Sequence, residues 1–174
     1  VSHNTFTING VEPDVNSAIS FAIAAIIRIG QGQADAYANS GGSLAVGSDL
    51  FFYDTAPLNS ISGATLNGSG NWYSSVTLPA GQYLIRGYFS ALFSATGQMA
   101  YKHQVGASAV GAGGYIGGTT NANYDGGSFA SLGVTLASAT TVSLRVYTAT
   151  NVSAVASQGN VPAEESWFVV EKLA

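Results

Sequence analysis

Apolar and polar positions alternate with a period of two along most of this chain, the pattern of strands that bury one face. The clearest case is launched by Leu78-Pro79-Ala80-Gly81. Pro79 has its φ fixed near the value that the first inner position of a tight turn needs, and Gly81 lets the chain reverse without a Cβ clash. From there one face reads Tyr83, Ile85, Phe89 and Phe93, with Gly87 and Ala91 as small spacers. The other reads Leu84, Arg86, Tyr88, Ser90 and Leu92. The first set predicts a core face. The second is more apolar than a solvent face requires, which points to burial against something outside the subunit.

In chain order, Phe6 and Ile8 alternate with Thr5, Thr7 and Asn9 and predict a short strand or extended arm, followed by a turn at Val11-Glu12-Pro13-Asp14. Ile19, Phe21, Ile23, Ala25, Ile27 and Ile29 fall on alternate positions of the run Ala18 to Ile29. The isoleucines favour a strand, although the same alanine-rich letters suit a buried helix. After a small polar stretch, strands are expected over Asp49 to Tyr53, Ile61 to Leu66 and Trp72 to Leu78, the last two forming a hairpin about Asn67-Gly68. Gly97 is expected to turn the chain into Met99 to Val105, whose Met99, Tyr101, His103 and Val105 share a side. The glycine-rich Gly106 to Gly127 reads as a long irregular loop. Strands resume at Ser128 to Leu136, Thr141 to Thr150 and Ser166 to Leu173, with a polar loop from Asn151 to Glu165. Eight or more short strands separated by Gly, Asn and Ser turns predict an all-β antiparallel sandwich of the jelly-roll kind. The expected division is an N-terminal arm with strands over 1–47 and a jelly roll over 48–174.

Composition sharpens this picture. The chain is 47% hydrophobic but only 8% charged, where an ordinary domain carries about a quarter charged residues. Its surface is therefore largely small and polar, or buried in subunit contacts. The net charge is −4, and the basic residues Arg28, Arg86, Lys102, Arg145 and Lys172 are scattered in sequence, so direct nucleic-acid binding is not expected. With no cysteine, neither disulfides nor thiolate metal sites are available. No signal peptide is read at Val1, and the Ala18 to Ile29 run, interrupted by Arg28, is too short for a membrane span.

Three segments in order resemble tail-fibre and related virion proteins of tailed bacteriophages: Asn59-Ser60-Ile61-Ser62-Gly63-Ala64-Thr65-Leu66, Leu78 to Arg86, and the closing Glu164-Glu165-Ser166-Trp167-Phe168-Val169-Val170-Glu171-Lys172-Leu173. The strand containing Tyr101-Lys102-His103 fits the same progression. More distantly, the strand order and the Pro-x-Gly-x-Tyr launch resemble the complement C1q and tumour-necrosis-factor jelly rolls. The resemblance covers roughly residues 48 to 174 and implies a jelly roll that assembles as a homotrimer. It also implies a virion location, with synthesis in the host cytoplasm; the absence of a secretion signal fits release by lysis. The short chain lacks the shaft of a full tail fibre, which favours a head-decorating role with the major capsid protein or other virion subunits as partners.

The closing strand supports self-association independently. Trp167, Val169 and Leu173 alternate with Phe168 and Val170, so both faces are apolar and one is expected to meet a neighbour, together with Leu84, Tyr88 and Leu92. Burial of both faces by the chain's own loops or arm is the alternative. Phe6, Ile8, Ile19, Phe21 and Ile23 are the candidate anchoring residues. A second functional class is a receptor- or glycan-binding module of a tail fibre or tail tip, for which Tyr115, Asn121, Asn123, Tyr124 and Asp125 are candidate ligand residues. The same Asn121, Asn123 and Asp125 fall short of a full calcium ligand set, and no cofactor is expected. No nucleophile elbow, zinc-binding helix motif or paired-carboxylate spacing is present, so no enzyme is expected; His103 reads as a strand residue.

Overall fold

The computed structural model describes residues 25–30, 45–90, 92–118, 127–153 and 166–173. Among these residues the alternating pattern becomes eleven strands and no helix. They are β1 (Ala25–Ile29), β2 (Phe52–Tyr53), β3 (Leu58–Asn59), β4 (Thr65–Ser69), β5 (Trp72–Leu78) and β6 (Gly81–Ser90). After these come β7 (Leu92–Val105), β8 (Ser108–Gly118), β9 (Gly127–Leu136), β10 (Thr140–Ser153) and β11 (Trp167–Lys172). Two antiparallel sheets result, one in the order β3-β1-β11-β6-β9 and the other in the order β2-β5-β10-β7-β8, with β4 also paired to β5. The chain crosses repeatedly between them, so each sheet draws strands from distant parts of the sequence.

The core lies between the sheets. Ile27, Ile29, Tyr83, Ile85, Phe89, Phe168 and Val170 come from the five-stranded sheet, and Val76, Leu78, Met99, Tyr101, Ile116, Val142 and Leu144 from the other. Aromatic rings join the layers: Phe89 meets Tyr101 edge-on with centroids 6.0 Å apart, and Phe52 meets Phe168 at 5.8 Å. The predicted core face of β6 is borne out through Phe89. Gly87 is small for a stated reason: a Cβ there would run into Leu144 Cδ1 of the opposite sheet. The strand reading of Ala25 to Ile29 also holds, with Ile27 and Ile29 fully buried and β1 hydrogen-bonded between β3 and β11. His103, buried on β7, is a strand residue as expected.

Five local expectations are corrected. The strand from Tyr83 does not run on to Phe93. It ends at Ser90, and Leu92 and Phe93 belong to β7 in the other sheet. Alternation continues across the break, so periodicity could not reveal it. Gly97 is no turn, since it pairs with Gly118 within one long strand. The supposed loop after Gly106 is largely β8, whose Gly113 and Gly114 leave room for Tyr101 of the adjacent strand. Glycine carries no alternation signal, and a neighbour's bulk dictates it here. The β4–β5 hairpin turns at Gly70-Asn71, while Asn67-Gly68 faces a bulge of β5 in which Ser74 is the extra residue between Tyr73 and Ser75. Residues Asn151 to Ser153, read as loop, complete β10.

Tyr83 anchors the launching turn by donating from its hydroxyl to the carbonyl of Pro79 at 3.0 Å. Burial raises its phenol pKa above the ordinary value of 10.0. The native state therefore favours the neutral phenol, and the stability this contributes is complete below pH 10 and lost as pH rises through the raised value. Tyr83→Phe is expected to cost about 1 kcal/mol near neutrality, the net value of one hydrogen bond, and to flatten the decline in alkaline solution. Chemical denaturation across that pH range checks both. Gly87→Ala is expected to destabilise by about 1–3 kcal/mol through overpacking against Leu144, measured as a lower urea midpoint with unchanged slope.

Candidate functional site

The two outer faces of the sandwich differ in chemistry. On the five-stranded sheet, cross-strand partners share a face, so the register of β6, β11 and β1 builds rows across it. Tyr88 stands opposite Trp167, and their rings stack at 6.3 Å with planes inclined by 20°. In the next row Arg86 faces Val169, which faces Arg28, with Leu58 of β3 beyond. The third row holds Leu84, Glu171 and Ile26. Arg86 reaches diagonally from its row to form an ion pair with Glu171. The Glu171 side chain is 8% exposed and that of Arg86 36%, so the guanidinium covers the carboxylate. An ion pair thus sits within a field of half-buried apolar and aromatic groups.

The outer face of the six-stranded sheet carries polar groups that are largely paired with one another. Asn67 donates to Ser75 and Thr77, and Thr77 shares a 2.9 Å hydrogen bond with Thr141. Ser143 and Arg145 both donate to Asp49 Oδ1, at 2.9 and 2.7 Å. The hydrogen bond that Arg145 donates to Asp49 holds its guanidinium above the ordinary arginine pKa. Lys102 places its ammonium 4.0 Å from the centroid of Tyr147.

Of the residues read as a subunit interface, Leu84, Tyr88, Trp167 and Val169 are brought together on the five-stranded face. Leu173 follows β11, exposed, its backbone N–H donating to the carbonyl of Gln82. Leu92 is not on this sheet: it lies in β7 opposite Ser153. Tyr115 lies on β8 and not in a loop, its hydroxyl donating to Gln98. Asn121, Asn123, Tyr124 and Asp125 lie outside the described residues, as do Phe6, Ile8, Ile19, Phe21 and Ile23. Sequence reading did not single out the grouping of Lys102, Arg145 and Tyr147. Its only signal is the long-range register of β7 on β10, which no local pattern encodes.

No family model matches the sequence, and no curated protein matches it. Solved structures do. The Eiger TNF structure from S. frugiperda is similar with a TM-score of 0.52 and 17% identity, over 86% of this chain and 92% of that one. Murine APRIL at pH 5.0 is similar with a TM-score of 0.51 and 8% identity, over 86% of this chain and 98% of that one. At such identities the likeness is one of fold: the chain is an antiparallel β-sandwich of the tumour-necrosis-factor jelly-roll type.

Because Arg86 is partly open to solvent, its pairing with Glu171 is screened and modest. Glu171→Gln is expected to lower stability by about 1 kcal/mol at low ionic strength, with the deficit shrinking in concentrated salt. Thermal melts of both proteins at two salt concentrations measure it.

Proposed function

We propose that this chain is the homotrimeric building block of a bacteriophage virion, a non-enzymatic jelly roll that decorates or stabilises the capsid surface. The observation that carries the self-association is the outer face of the five-stranded sheet. Tyr88, Trp167, Val169 and Leu84 gather there around the Arg86–Glu171 pair, while the opposite sheet face carries internally hydrogen-bonded polar groups beside Lys102 and two exposed tyrosines, Tyr115 and Tyr147. A stacked aromatic pair with aliphatic neighbours has the composition of an interface centre. Burying it against a second copy removes this apolar surface from water, and the ion pair at its middle penalises misaligned docking. Three copies about an axis follow from the resemblance to C1q and tumour-necrosis-factor jelly rolls.

The virion location is supported by the three segments that resemble phage virion proteins and by the low charge of the chain. In this reading the segment containing Phe6, Ile8, Ile19, Phe21 and Ile23 anchors the trimer on the major capsid protein or another virion subunit. Weak contacts repeated at symmetry-related positions then sum through multivalency.

Light scattering of the purified protein is expected to give three times the mass of the chain. Val169 lies in register between Arg28 and Arg86, so Val169→Lys adds a third cation to the face and is expected to yield a folded monomer. Shells lacking the protein are expected to bind the parent stoichiometrically and the variant weakly. A parent protein that is monomeric would overturn the self-association, and a trimer that ignores shells would overturn the decoration role.

A further inference from the structure

Among the described residues, the large apolar side chains left exposed are Val46, Leu58, Tyr115, Tyr147 and Leu173. The two aromatic ones share the outer face of the six-stranded sheet. Tyr115, 60% exposed, stands on β8 opposite Ala100 of β7, and Ala100 stands opposite Thr148 of β10. Tyr147, 54% exposed, occupies the bulge between Val146 and Thr148. With neighbouring strands about 4.8 Å apart, the two tyrosines are rooted roughly 10 Å apart across the small side chain of Ala100. The Lys102 ammonium lies over one face of the Tyr147 ring, and Tyr115 is held by its hydrogen bond to Gln98. Two exposed rings across a shallow floor suit the apolar faces of linked sugar rings, and the Gln98 amide is placed to meet hydroxyls.

Charge narrows the ligand further. The β10–β7 register sets Arg145 directly opposite Lys102, an arrangement in which like charges repel. Asp49 offsets one of them, engaging Arg145 through Nε. Two cations against one carboxylate leave the patch locally positive in a chain of net charge −4. An anion held between them relieves the repulsion. We propose that this face binds an acidic saccharide, whose rings stack on Tyr115 and Tyr147 and whose carboxylate is held by Lys102 and Arg145. The site lies on the sheet face opposite the proposed subunit contact and does not depend on it.

Isothermal titration calorimetry of the full chain with tetragalacturonate and with sialyllactose tests this, using maltotetraose and lactose as uncharged counterparts. At least one acidic saccharide is expected to bind, with its neutral counterpart about tenfold weaker. Tyr115→Ala and Tyr147→Ala are each expected to weaken binding by about fivefold or more, while Tyr147→Phe, which keeps the ring, retains it. Lys102→Gln is expected to abolish the preference for the acidic member. The proposal fails if neither acidic saccharide binds at up to about 5 mM, or if the neutral ones bind equally well. It also fails if alanine variants with the parent's circular dichroism and melting temperature bind as the parent does.

Discussion

The contact between the two sheets is the constraint on which the rest of the molecule depends. The sequence supplies no cysteine and few charges, so the layers are held by burial and shape. Phe89 against Tyr101 and Phe52 against Phe168 span the gap, and Gly87 lets Leu144 approach the opposite backbone. These contacts fix which face of each strand points inward. They thereby fix which residues remain on the outside, and both proposed surfaces are consequences of that sorting. A five-stranded sheet has two faces but only one core to cover, and its second face still carries aromatic and aliphatic groups.

The charged groups follow a complementary logic. Among the described residues, Arg28, Arg86 and Glu171 stand on one outer face and Asp49, Lys102 and Arg145 on the other. Glu171 lies beneath Arg86 on the apolar side, and Asp49 ties Ser143 and Arg145 on the polar side. Asp54 is buried, as Glu171 is, and its two oxygens accept from the backbone N–H groups of Gly30 and Ala56. That carboxylate joins the end of β1 to the segment after β2, satisfying backbone donors that neither sheet pairs.

How much was legible in the sequence depended on where the determining information lay. Alternation alone exposed β5, β6, β9, β10 and β11, because their buried and exposed positions follow a two-residue period. It also marked Leu84, Tyr88, Trp167 and Val169, since apolar residues on both faces of a strand are visible without coordinates. What it could not show was decided by distant residues. Gly113 and Gly114 of β8 are small because of Tyr101, and Leu92 changes sheets although the local pattern is unbroken. The patch around Lys102, Arg145 and Tyr147 exists only once β10 lies on β7 with its bulge in place.

The position of β11 between β1 and β6 bears on how this protein is made. As it emerges from a ribosome, every strand from β1 to β10 is available before the one that joins the middle of the five-stranded sheet. Until residue 172 is out, β1 and β6 each lack their β11 partner, and the apolar row of Phe168 and Val170 is missing from the core. Closure of the five-stranded sheet thus waits until the other described strands of the sandwich have been made, and nascent chains crowded on one message expose complementary edges to one another. If copies associate as proposed, they would then meet while still incomplete, and translation order would select their first partners.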